Sequence, residues 1–107
     1  MVDDPQKMRL EALQQMLAVD PDDPFALYGL AVELKVMDRA DESEPLLRRL
    51  LQVEPTQLYG YYQLGEILIA DGEFEDAEAV LLRGIAQAEA AGDAKAENEL
   101  RGLMDLC

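Results

Sequence analysis

The sequence predicts an all-α protein, a short solenoid of antiparallel helix pairs with about six helices. Three observations carry this reading. First, Val19-Asp20-Pro21 returns as Val53-Glu54-Pro55, an offset of 34 residues, and a fixed period of that size marks a repeat architecture. Second, apolar or small residues fall three or four apart in both copies. Leu27, Leu30, Ala31 and Leu34 align with Tyr61, Leu64, Gly65 and Leu68, and Ala40, Ser43, Leu47 and Leu50 align with Phe74, Ala77, Leu81 and Gly84. That spacing lines one face of a helix. Third, the segments between these runs hold Asp, Gly and Pro, which cap and break helices.

The elements follow in order along a single expected domain of 107 residues. An N-terminal helix is expected over 4–18. Asp4 can cap it, Pro5 suits its first position, and Leu10, Leu13, Met16 and Leu17 form its apolar face. The first repeat occupies 24–55. Its helices are expected over about 24–37 and about 42–53, with Pro45 in the first turn of the second, where a missing N–H costs least. The second repeat occupies 58–91. Its helices are expected over about 58–70 and about 74–90, the latter running on toward Gly92. A capping helix over 93–107 closes the chain, with Asp93 as its cap. Ala96, Leu100, Leu103 and Cys107 fall on one face of it, and Met104 borders that face. Such a helix would cover the apolar end of a solenoid.

The unit Tyr61-Tyr62-Gln63-Leu64-Gly65, then Leu68, Phe74, Ala77 and Leu81, resembles a tetratricopeptide repeat. The earlier unit is a degenerate version, with Leu27 for the aromatic, Ala31 for the Gly and Ser43 for the Ala, closed by Pro55. The later unit has Glu89 where the closing Pro would stand. The resemblance covers about 20–90 and implies a short right-handed α-solenoid. It also implies a concave groove, lined by the first helix of each unit, that holds a peptide or protein segment.

Composition narrows the partners. Twenty-three acidic residues against nine basic ones give a net charge of -14, which opposes nucleic acid and anionic membrane surfaces. Two readings of the acidity stay open: selection of a basic partner, or a surface adapted to high salt. A single cysteine, Cys107, allows no internal disulfide and fits a reducing, cytoplasmic location. The N-terminus has neither the basic stretch nor the apolar run of a signal peptide.

The reactive inventory points away from an enzyme. There is no His, and Ser43 falls in a packing slot with no base to activate it. No cofactor is expected, because no glycine-rich phosphate loop is present. No metal is expected either, because His and clustered Cys are missing and the acidic turns lack the alternation of a calcium loop. Those turns read as acids favoured at helix N-termini.

The candidate site rests on the aromatics. At about 100° per residue, Phe25, Tyr28, Val32 and Lys35 turn away from the core face of their helix, and Tyr59, Tyr62 and Glu66 do so one repeat later. Tyr61 and Phe74 take packing slots. The strip is either a contact surface or a packing face against neighbouring helices. As a contact surface it would accept a protein or peptide with apolar and basic residues. A grip on acidic tails, known from related grooves, would need Lys, Arg and Asn at these positions, which hold Tyr28, Val32, Tyr62 and Glu66. The competing role is structural, a homo-oligomer packing through the groove or a helical end. Monomer and weak homodimer are both left open.

Overall fold

In a computed structural model, the structure describes residues 4–107. Six α-helices follow one another, and no strand occurs among the described residues. They are α1 (Pro5–Val19), α2 (Pro24–Val36), α3 (Ala40–Val53), α4 (Leu58–Ala70), α5 (Phe74–Ala91) and α6 (Ala94–Met104). The all-α class expected from the repeat is the one found. The chain falls into two compact units that divide between Val53 and Glu54.

Unit 1 holds α1, α2 and α3. Asp4 accepts a hydrogen bond from the backbone N–H of Gln6, and Pro5 opens α1. Asp23 caps α2 by accepting from the N–H groups of Phe25 and Ala26. The first two helices run antiparallel: Leu13 lies over Gly29, and Arg9 Nε stands 3.1 Å from Glu33 Oε1. A β-carbon on Gly29 would come within 3.0 Å of Leu13 Cδ2, so the missing side chain permits this approach. Leu10, Leu30 and Leu34 form a core there, flanked by Leu13, Leu17, Met37 and Leu46. Helices α2 and α3 close over Ser43, which is fully buried and donates a 2.7 Å hydrogen bond to the Ala31 carbonyl. A buried hydroxyl is tolerated only with such a partner.

Unit 2 holds α4, α5 and α6. Asp93 accepts from the Ala96 N–H to cap α6, and Gly92, at φ 69°, ends α5 in the left-handed conformation that glycine takes without penalty. Helices α4 and α5 are antiparallel, with Gly65 facing Leu81 and Tyr61 facing Gly84. A β-carbon on Gly84 would stand 2.6 Å from Tyr61 Cβ and 3.3 Å from Leu100 Cδ1, so α4, α5 and α6 all meet at that glycine. The Tyr61 ring is buried, its hydroxyl donates to the Pro55 carbonyl at 2.7 Å, and the Arg83 guanidinium lies 5.7 Å from its centroid.

Three placements differ from the sequence reading. Helix α3 starts at Ala40, so Pro45 lies beyond its first turn. The Asp41 carbonyl therefore goes without the N–H that position 45 would otherwise donate. Phe74 is 47% exposed. It is the first residue of α5, and a helical side chain covers the turn before its own Cα, here the exposed Asp71-Gly72-Glu73. Helix α6 ends at Met104 rather than running to 107, so Cys107 lies past the helix, at an exposed chain end beyond the face of Ala96, Leu100 and Leu103.

Candidate functional site

The first helix of each repeat, α2 and α4, keeps aromatic side chains outside the core of its unit. Of six aromatics in the chain, only Tyr61 joins the core. On α2, Phe25 is 71% exposed, and Tyr28, Val32 and Lys35 are half-buried. They succeed one another at three- and four-residue steps, so the helix brings them to one side. On α4, Tyr59, Tyr62 and Glu66 are likewise half-buried. The Tyr59 and Tyr62 rings meet edge to face with centroids 6.4 Å apart, an arrangement favoured by the ring quadrupoles. Gln57 Oε1 accepts from the Tyr59 N–H and so fixes the start of this strip.

Burial raises the Tyr62 phenol above the ordinary tyrosine range, and the Glu66 and Glu99 carboxylates add to the effect. Glu99 belongs to α6. The α4 strip therefore has an acidic neighbour that periodicity along one helix could not supply. Unit 1 offers a second surface that the sequence did not single out. An apolar groove runs between α1 and α2, lined by Arg9, Ala12, Leu13 and Met16 from one side and by Phe25, Gly29 and Glu33 from the other. It continues past Gln15 and Val19 to Asp20 and Asp23. Its signal in the sequence was the misfit of α1 itself, whose apolar residues spread over more than one face: Met8, Met16 and Val19 all remain exposed.

Among the described residues, no three His, Cys, Asp or Glu side chains group as metal ligands. No helix among them is long and apolar enough to cross a membrane.

The tetratricopeptide repeat family model matches residues 37–97. A TPR repeat-containing protein of Pseudomonas aeruginosa is 29% identical over 93 residues, covering 87% of this chain and 89% of that protein. Two solved structures of a tetratricopeptide repeat domain protein from Salinibacter ruber are similar in fold. The crystal structure has a TM-score of 0.72 at 30% identity and covers 77% of this chain and 92% of that one. The solution NMR structure has a TM-score of 0.73 at 32% identity and covers 79% and 86%. Domains of this kind are generally non-enzymatic modules that bind proteins or peptides. With the family pattern spanning more than half of its length, and the repeat slots filled as described, the chain belongs to the tetratricopeptide repeat family.

Proposed function

We propose that this protein binds a segment of another protein through the aromatic faces of α2 and α4. Phe25, Tyr28, Val32 and Lys35 serve in unit 1, and Tyr59, Tyr62 and Glu66 in unit 2. The observation that carries this reading is the aromatic distribution: five of the six rings are held partly or largely in reach of solvent. Tyrosine supplies large contact area at low entropic cost, which suits a binding face. Glu66 and Glu99 beside Tyr62, in a chain of net charge -14, favour a ligand with Lys or Arg next to its apolar residues. The exposed, unpaired Cys107 suits a reducing, cytoplasmic setting.

The test is a calorimetric titration of a partner captured from the native cell. Tyr28→Ala combined with Tyr62→Ala is expected to weaken binding by at least about 1–2 kcal/mol, with helix content unchanged. Added salt is expected to weaken the complex further. Unchanged affinity in a folded double variant would remove the aromatic faces from the site.

A further inference from the structure

We propose that the α1–α2 groove of unit 1 is a docking site for an amphipathic helix of another protein, lying antiparallel to α1 with a basic first turn beside Asp20 and Asp23. The proposal is independent of the tyrosine faces.

Unit 2 shows what such a groove holds. In the repeat pattern, α5 and α6 stand as the second helix of one repeat and the first helix of the next, and α1 and α2 stand in the same succession. The first helix α4 packs on both α5 and α6, and the three meet at Gly84. Among the described residues nothing takes the corresponding place on α1 and α2. Met16 is 36% exposed, Val19 is 88% exposed, and Ala12 is exposed beside them. Together with Phe25 they leave an open apolar seat. Met16 is a flexible, polarisable side chain, able to fit a partner surface that is not its own chain's.

Charge gives the occupant its direction and its chemistry. One end of the groove is closed by the Arg9–Glu33 ion pair. The other carries Asp20 and Asp23, and α1 has no basic residue in its last turn. The negative end of the α1 dipole and the positive end of the α2 dipole meet there and largely offset each other, which leaves the two carboxylates in excess. A helix antiparallel to α1 brings its positive N-terminal end to that place, and Lys or Arg in its first turn completes the match. A second copy of this chain fits poorly, because each copy brings a net charge of -14 to an acidic rim.

The test uses isotope-labelled protein and two synthetic helical peptides of about 15 residues. Both carry the same Ala/Leu stripe; one has Lys in its first turn and the other Glu. The Lys peptide is expected to shift the Ala12, Leu13, Met16 and Gly29 signals in a saturable way. It should bind about tenfold or more tightly than the Glu peptide. Met16→Glu is expected to weaken it about tenfold or more by setting a charge in the apolar seat, and Ala12→Glu, at an exposed position, should do the same should Met16→Glu perturb the fold. Equal binding of the two peptides, or no saturation, would overturn the proposal. So would shifts centred on Tyr28, Tyr59 and Tyr62, or unchanged binding in both variants. Protection of the Ala12 and Met16 methyl groups from a soluble paramagnetic probe before any peptide is added would also overturn it, since the groove would then be filled by a second copy or by the chain itself.

Discussion

Unit 1 and unit 2 carry the same helix pair at an offset of 34 residues, yet they distribute bulk differently across it. In α4–α5 a large ring, Tyr61, lies on a glycine, Gly84. In α2–α3 the matching positions are Leu27 and Leu50, both buried. Large against small has become medium against medium. A neighbouring slot stays small in both: Gly65 and Ala77 in unit 2 correspond to Ala31 and Ser43 in unit 1, each slightly larger. The repeat thus keeps these positions buried between the two helices, while the division of bulk between them varies. That is what a close-packed interface requires, since density matters more than identity.

Gly84→Leu gives the largest expected effect. Its β-carbon alone would come within 2.6 Å of Tyr61 Cβ and 2.8 Å of Tyr61 Cγ, stiff atoms of a ring that is 1% exposed. A loss of about 3 kcal/mol in denaturant melts is expected, the upper end of overpacking costs. Adding Tyr61→Leu, which rebuilds the Leu27/Leu50 pairing of unit 1, should recover about 1–2 kcal/mol as a favourable coupling. Strictly additive losses would show that the two pairs are not interchangeable in this slot.

Gly65→Leu comes next, at about 1–3 kcal/mol. The nearest obstacle is Leu81 Cδ2, 2.6 Å from the new β-carbon. It is the end of a flexible side chain, so part of the clash can relax. A neutral melt would place the closest approach of α4 and α5 elsewhere.

Ser43→Ala probes the same slot in unit 1. The substitution removes the hydrogen bond to the Ala31 carbonyl but leaves the residue found at position 77, and a loss of about 0.5–1.5 kcal/mol is expected. A gain in stability would mean that the hydroxyl is only tolerated there.

Much of this pairing was legible in the sequence, and the gaps have physical causes. Helices α4 and α5 could be placed because their first turns are preceded by Pro55 and Gly72, and because small and large residues recur at fixed steps. The start of α3 was missed by two residues because Asp38, at φ 60°, ends α2 in the role that Gly72 plays at φ 75° one repeat later. Aspartate signals a left-handed turn less sharply than glycine. The aromatic residues off the core face could be read from periodicity along one helix. Glu99 beside Tyr62, and the α1–α2 groove, could not, because both arise where non-adjacent faces are brought together by packing.

Asp38→Gly tests that turn. Replacing a residue at positive φ by glycine removes steric strain, partly offset by the greater freedom of the unfolded chain, and a gain of a few tenths of a kcal/mol is expected. Gly72→Asp should lose stability by a similar amount. Equal signs for the two changes would show that the turns are not equivalent despite their shared period.

The smallest effect separates the units by pH. In unit 2 a third helix, α6, brings Glu99 to Tyr62, and burial with Glu66 and Glu99 raises the phenol above its ordinary range. The unfolded chain loses this proton near pH 10, as free tyrosine does. Below that pH both states hold it, and Tyr62 adds no slope. Above it the unfolded state is deprotonated first, so stability falls as pH rises, until the folded phenol also ionises and the fall levels off. Tyr62→Phe should make alkaline unfolding shallower in that window and leave the neutral-pH melt little changed. Glu99→Gln should move the Tyr62 phenolate absorbance back toward ordinary tyrosine while burial keeps part of the shift. If Glu99→Gln leaves that titration where it was, α6 does not act on the tyrosine face, and the two units would differ in volume alone.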